Sequence, residues 1–314
     1  MRVVVTGGAG FIGANLVADL VSDERVDQIV VFDDLSTGDR SNVPEHAKVT
    51  FVEASILDER ALAQACRGAE SIVHLGAIPS VARSIADPVA SHRANVTGTV
   101  NVLEAARRTM AHVIVASSSS VYGANLLLPK REDQVAQPLS PYAAGKLAAE
   151  SYALAYGASY GLEVLALRFF NVYGPLQRAG HAYAAAVPAF VAAAIAGAPL
   201  TIHGDGLQTR DFTYVGTVTR ILRGAAVGRV VSTTPVNLAF GSRTSVLELI
   251  ELIEAALGHE IARHHVEPRI GDVRDSQADN AVLRSLFPDV TPTPLREGLR
   301  ATIDWMRTLP DQHS

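Results

Sequence analysis

Short apolar runs alternate with longer amphipathic stretches along the first half of the chain. Val3-Val4-Val5 opens this pattern and reads as a buried strand. Apolar positions then fall at helical spacing to about Ser22, and the chain returns to a strand at Gln28-Ile-Val-Val-Phe32. The alternation continues with Val49–Val52, a helix near Glu59–Cys66, Ser71–Leu75, a long helix near Ser91–Met110, His112–Ser117 and Val164–Phe169. Strands that alternate with helices predict a parallel sheet covered on both faces. Beyond Pro175 the pattern changes. It reads as an Ala-rich helix at about Tyr183–Ala196, a strand at Leu200–His203, and helices at Ser245–Leu257, near Asp279–Phe287 and at Leu295–Arg307. The expected fold is α/β: a doubly wound parallel Rossmann sheet over residues 1–172, with a smaller, interwoven α/β substrate domain over 173–314. Residues of about 213–240 are expected to return to the first half.

Composition narrows the class without naming a function. The 314 residues are 48% hydrophobic and 19% charged, as in an ordinary globular protein. A net charge of −5 offers no general basic field for nucleic acid. Cys66 is the one cysteine, so no internal disulfide forms; a reducing, cytoplasmic setting is expected, with Cys66 packed as a small apolar residue. The longest apolar segment, about Ala182–Leu200, is mostly Ala and is interrupted by Pro188, too weak to span a bilayer. A Gly-rich turn begins by Gly7, so no signal peptide is expected. The ten histidines show no metal-ligand spacing, and the adjacent His264 and His265 would point apart on a strand, so no metal is expected.

The candidate chemistry sits at strand ends. Thr6-Gly-Gly-Ala-Gly-Phe-Ile-Gly13 lies between a strand and a helix. Gly7, Gly10 and Gly13 let the backbone turn tightly and approach a pyrophosphate, and the helix N-terminus supplies free N–H groups. The second strand ends in Asp33-Asp34, where a carboxylate accepts from ribose hydroxyls and repels a 2′-phosphate, which favours NAD over NADP. Gly76 and Ala77 follow the fourth strand at the edge where ligands bind. Asn95 can meet a cofactor or face water. Ser117 to Ser120 end the fifth strand at the same edge, where a hydroxyl can polarise a sugar hydroxyl or carbonyl. Tyr142 and Lys146 are four apart on one helix face, with Pro141 in its first turn and Ser140 at its cap. A phenol with a reference pKa of about 10 is a poor base at neutral pH, and a nearby ammonium favours its phenolate. Such a pair can serve as a general base for a substrate hydroxyl.

Together these stretches resemble the extended short-chain dehydrogenase/reductase family, and within it the nucleotide-sugar 4-epimerases of the UDP-galactose 4-epimerase type. The likeness rests on residues 6–13, on Asp-Asp-Leu-Ser-Thr-Gly38, on Ser117 to Gly123, on Tyr142/Lys146, on Arg168 to Pro175, on Gly204 to Val215 and on Pro268 to Ser276. It implies an NAD-dependent isomerase that inverts C4 of a UDP-sugar through a transient 4-keto sugar. The rivals are a 4-ketoreductase or dehydrogenase on the same scaffold and a non-catalytic dinucleotide-binding protein. The implied catalytic residues are Tyr142 as base, Lys146 as its activator and Ser118 as hydroxyl partner. Cofactor contacts are implied for Phe11, Ile12, Ser36, Thr37, Gly38, Ile56, Leu75, Asn95, Ser117 and Phe169 beside the glycines and Asp33. Substrate contacts are implied for Ser80, Arg83, Ser119, Asn171, Val187, Thr201 and His203. Arg210 and Arg274 are implied diphosphate ligands and Asp272 a ribose ligand; spacing alone leaves both arginines as solvated loop residues. Ser119 and Ser120 replace the acidic pair of the sugar 4,6-dehydratases, which disfavours water elimination. Ser55 stands at the family's adenine-binding Asp, Pro79 where some members place Lys, and Gly216 where an acid is common. Ser276 stands where a large aromatic residue restricts the sugar's C2 substituent, which implies room for an N-acetyl group. A homodimer through the helices of Ser91–Met110 and Tyr142–Gly161 is expected from the same likeness.

Overall fold

The computed structural model describes residues 1–179, 185–267 and 274–309. Strand and helix alternate from the start: β1 (Arg2–Thr6), α1 (Phe11–Val21), β2 (Gln28–Asp33), β3 (Val49–Glu53), α2 (Glu59–Ala65), β4 (Ser71–His74), α3 (Val81–Ala86), α4 (Pro88–His92), α5 (Gly98–Thr109), β5 (His112–Ser118), α6 (Pro141–Tyr160) and β6 (Val164–Phe169). The rest comprises β7 (Asn171–Tyr173), α7 (Ala186–Ile195), β8 (Leu200–His203), β9 (Thr209–Arg210), β10 (Phe212–Tyr214), α8 (Val215–Gly228), β11 (Val236–Leu238), β12 (Thr244–Ser245), α9 (Val246–Leu257), β13 (Arg263–Val266), α10 (Ala281–Leu286) and α11 (Leu295–Arg307).

Seven strands make one parallel sheet in the order β11-β6-β5-β4-β1-β2-β3. Its central strands are mostly apolar and buried because both faces are covered. Neighbouring residues point to opposite faces, and the two cores follow that alternation. Val3, Val5, Ile29, Val31 and Ile114 pack with α1 and α8. Val4, Val30, Ile72, Val113 and Val115 pack with α2, α5 and α6. The strand order reverses between β1 and β4, which opens a crevice at their C-terminal ends.

The long helix expected near Ser91–Met110 is continuous but carries one widened turn. α4 ends at His92, a π-helical turn covers Arg93–Thr97, and α5 follows. The widened turn brings Asn95 into the interior, where it is 1% exposed. α6 begins as expected: Ser140 Oγ accepts from Ala143 N at 3.1 Å.

β11 returns to the sheet beside β6, and α8 packs along α1. The outer part is built differently. α7, α9 and α11 enclose a separate apolar cluster on which Trp305 packs. Among the described residues its strands come in pairs, β8 with β13, β9 with β12 and β7 with β10. Gly216 has a steric reason: a Cβ there would lie 2.8 Å from the Tyr214 ring, which packs on Tyr173. Among the described residues no helix is long and apolar enough to cross a membrane, and no His, Cys, Asp or Glu cluster has metal-binding form. Cys66 is fully buried.

Candidate active site

A cleft of about 1200 Å³ opens at the β1/β4 crossing. Its floor is backbone. Gly7 (φ +69°) lies so close to the facing strand end that a Cβ would sit 2.7 Å from Gly76 N. A Cβ on Gly13 would sit 2.2 Å from the Gly7 carbonyl oxygen. Gly10 caps α1 without offering a side chain to its first N–H groups. Those donors, at the positive end of the helix, suit a pyrophosphate. Beside the turn, Asp33 Oδ2 accepts from Ala9 N and Oδ1 from Leu35 N, both at 2.9 Å. Burial pushes its carboxyl up, and the two backbone donors oppose that. Each oxygen keeps a second lone pair for a ribose hydroxyl. The residues present therefore fit a dinucleotide.

Asp34, Ser36, Thr37, Gly38, Ser55, Ile56, Leu75, Ala77 and Phe169 line the same cleft. So do Phe11, Ile12, Ser80 and Arg83. Ser80 does so with φ +93°, a strained backbone for a residue with a Cβ.

Ser117, Ser118, Tyr142 and Lys146 close the inner end. α6 runs beside β5, so its one face meets the strand's last residues. Lys146 Nζ donates to the Ala116 carbonyl at 2.8 Å. Burial pushes the Lys146 ammonium down to about 8. Burial pushes the Tyr142 phenol up, and the Ser118 hydroxyl works the other way. In the protein alone, desolvation is the larger effect on the phenol. Ser118 Oγ also accepts from Ser120 N at 3.2 Å and Ser120 Oγ at 2.9 Å.

Asn95 needs a correction. It does not line the cleft; its Oδ1 accepts from Ile78 N at 2.8 Å and its Nδ2 donates to Ile78 O at 3.1 Å. It holds the wall of the cleft instead of a ligand. A buried chain supports the same wall. Thr99 Oγ1 donates to Asn95 O at 2.7 Å, so it can accept from His74 Nε2 at 3.0 Å. His74 Nδ1 then accepts from Thr6 Oγ1 at 2.7 Å, and Thr6 accepts from Gly76 N. Every donor meets one acceptor only if the imidazole is neutral, and burial pushes it down to about 3.

A second cavity, of about 480 Å³, adjoins the first through shared Val172 and Ala185. Asn171, Val187, Thr201, His203 and Arg210 line it. Arg210 Nη1 donates to the carbonyls of Thr209 and Arg274. Ser119, Arg274 and Ser276 line neither cavity. Ser119 begins a 3₁₀ turn, Arg274 pairs with Asp205 at 2.9 Å, and Ser276 N donates to Thr209 O. Asp272 lies outside the described residues.

Several residues here went unassigned in sequence. Asp211 is fully buried and accepts from Gly241 N, Ser242 N and Ala278 N, tying three loops at the outer cavity. His74, Thr99 and Glu150 also carry no local motif. Their only signal is a polar side chain inside an apolar strand or on the inward face of a helix.

A doubly wound sheet with a glycine cradle at its switch point, and a Tyr–Lys pair at the end of the neighbouring strand, defines a short-chain dehydrogenase/reductase-type, dinucleotide-binding protein. The NAD dependent epimerase/dehydratase family model matches residues 3–228. The chain belongs to that family. It is 38% identical to a UDP-glucose 4-epimerase of Mycolicibacterium smegmatis, over 98% of this chain and 99% of the relative. A UDP-N-acetylglucosamine 4-epimerase from Methanobrevibacter ruminantium, solved with UDP-N-acetylmuramic acid, superposes with a TM-score of 0.92 at 33% identity, covering 98% of each chain. A Thermus thermophilus UDP-glucose 4-epimerase solved with NAD gives 0.87 at 33% identity, covering 98% of this chain and 99% of that one.

Proposed function

We propose that the chain is an NAD-dependent epimerase that inverts C4 of a UDP-sugar, either UDP-glucose/UDP-galactose or the N-acetylated pair. The observation that carries this is that Tyr142, Ser118 and Lys146 line together the cleft that the glycine cradle and Asp33 define. NAD, when bound, supplies the chemistry of hydride removal from C4 and its return to the opposite face. The protein supplies the proton path. Tyr142 Oη takes the O4 proton and gives it back, and the Ser118 hydroxyl holds O4 and the phenol in line. Lys146, fixed on the Ala116 carbonyl, adds positive charge when protonated and so favours the phenolate.

Asp33, bonded to the Gly-rich turn beside Gly10, supports NAD as the cofactor, because a carboxylate at the ribose repels a 2′-phosphate. The adjoining cavity is assigned to the nucleoside diphosphate, with Arg210 as its charged ligand. A cytoplasmic homodimer is the proposed working form. The exposed Ile85, Val89 and Tyr152 support it, since they sit on α3, α4 and α6, which pack together.

The test is a nucleotide-sugar panel followed by NMR for C4 inversion, with NAD absorbance read in parallel. Inversion without net NADH over many turnovers is expected. Stoichiometric reduction of NAD would overturn the epimerase reading. A C4-deuterated sugar is expected to keep its label through turnover, and loss of label to solvent contradicts hydride return.

A further inference from the structure

Tyr142, Lys146 and Glu150 are spaced four apart on α6 and so share one face of that helix. Glu150 forms a two-pronged bond with Arg168 of β6. Arg168 Nε donates to Oε2 at 2.9 Å and Nη2 to Oε1 at 2.7 Å. Both side chains are 4% exposed. Ser117 Oγ donates to the same Oε2 at 2.7 Å, and Ser117 lines the cleft one residue before Ser118. Arg168 also lies 4.8 Å from the centre of the Tyr122 ring and donates to the Glu132 carbonyl.

Stability is a poor reason for such a pair. Two buried charges lose their hydration, and well-packed apolar side chains of the same volume often do as well or better. The fork's distinctive property is geometric, because two parallel hydrogen bonds fix both distance and rotation. It joins α6 to the ends of β5 and β6, one turn beyond the bond from Lys146 to Ala116.

We propose that Glu150 and Arg168 are positioning residues. Their fork, with Ser117, sets how α6 is seated on β5 and β6, and hence where Tyr142 and Lys146 stand against Ser118, while their charges cancel beside Lys146. This rests on the roles proposed above for those three residues. The surroundings of Lys146 hold the charge argument together. Its own helix carries Tyr142 and Glu150, β4 carries the neutral His74, and β6 carries Arg168 behind Glu150. β5 offers Ser117, Ser118 and the Ala116 carbonyl; the carboxylate of α5, Glu104, is bound away from Lys146 to Arg107 and to Tyr156, ten residues further along α6. Arg83 of α3 and Arg93 of the π-helical turn line the same cleft.

The chain has only three lysines, Lys48, Lys130 and Lys146, so isotope-labelled lysine lets Lys146 be titrated directly by NMR without turnover. Glu150→Gln leaves the Arg168 charge alone and is expected to lower the Lys146 midpoint by about one pH unit; Arg168→Met leaves the Glu150 charge and is expected to raise it by about as much. The double variant is expected to return the midpoint to the wild-type value. In all three, kcat is expected to fall about ten-fold or more with KM changed less than about two-fold, as for a misplaced reacting group. Midpoints that move together or not at all, or a folded double variant with wild-type kcat, would overturn the proposal. Where a single variant buries a lone charge and fails to fold, the double variant decides through kcat. A wild-type protein that inverts no nucleotide sugar refutes the proposed function instead, and the Lys146 titrations still decide the charge cancellation.

Discussion

The inner cleft and the outer cavity adjoin, yet they are made in different ways. The inner cleft stands on seven hydrogen-bonded strands, a backbone cradle and side chains such as Asn95 and His74, buried and fully partnered. The outer cavity stands on paired strands of two to four residues, with its polar groups on half-exposed loops and strand ends. Glycine positions, strand ends and buried protons leave little freedom at the first. At the second, a side chain can be exchanged without disturbing the sheet. On the proposed assignment, reaction chemistry falls where the fold is stiff, and recognition of the substrate's nucleotide part where it is adjustable.

That contrast predicts a graded set of effects. The largest belongs to Tyr142→Phe, which should keep the fold and NAD retention but lower kcat by about 10²–10⁴-fold, the usual contribution of a general base. Near-normal turnover would break the contrast at its centre.

Acid stability comes next. His74 has its folded value pushed down to about 3, below the reference of 6.5, so the folded state resists protonating it. Its contribution is complete above pH 6.5 and is lost as pH falls toward 3, by up to about 4 kcal/mol. His74→Gln should be less stable at pH 7 but flatter in urea midpoint between pH 6.5 and 4. A slope equal to wild type would show that the imidazole is not the group involved.

Lys146 has a related sign with a different window. Its folded value of about 8 lies below the unfolded 10.5, so the unfolded state binds more protons between these values and stability rises with pH across them. Removing the charge should therefore stabilise. Lys146→Met in cofactor-free protein is expected to gain about 1–3 kcal/mol at pH 7, a gain that shrinks from pH 8 to 10.5. A loss of stability at pH 7 would mean that the hydrogen bond to Ala116 outweighs desolvation.

The outer cavity should respond through affinity alone. Arg210→Ala is expected to raise KM about ten-fold with kcat nearly unchanged, since a diphosphate ligand binds ground and transition states alike. An equal fall in kcat would place Arg210 with the inner cleft. The smallest effect is assigned to Arg178, half-exposed and paired with Asp39 at 3.0 Å on the cleft rim. Arg178→Ala should change NAD affinity by about two-fold at most, because exposed ion pairs contribute little.

The two regions also differ in how much of them could be read from the chain. The sheet strands, the Gly-rich turn, Asp33 and the Tyr142/Lys146 pair are legible because each depends on residues adjacent in sequence or one helical turn apart. Periodicity of two in a strand and near four in a helix is written locally. The widened turn of the long helix at Arg93–Thr97 is not, because the π-helical turn answers to Asn95 meeting Ile78, a partner supplied by another segment. Ser276 and Arg274 illustrate the outer region. They sit in a shared motif, yet one lends its backbone to Thr209 and the other pairs with Asp205.

Apolar spacing and turn chemistry along the chain were thus enough to define a doubly wound sheet, its switch point and the pair of side chains proposed for proton transfer. Folding alone decided the rest: that Lys146 is buried on the Ala116 carbonyl, that His74 is held neutral, and that Glu150 meets Arg168. Those outcomes depend on desolvation and on partners distant in sequence, and both come into existence only when the segments close on one another.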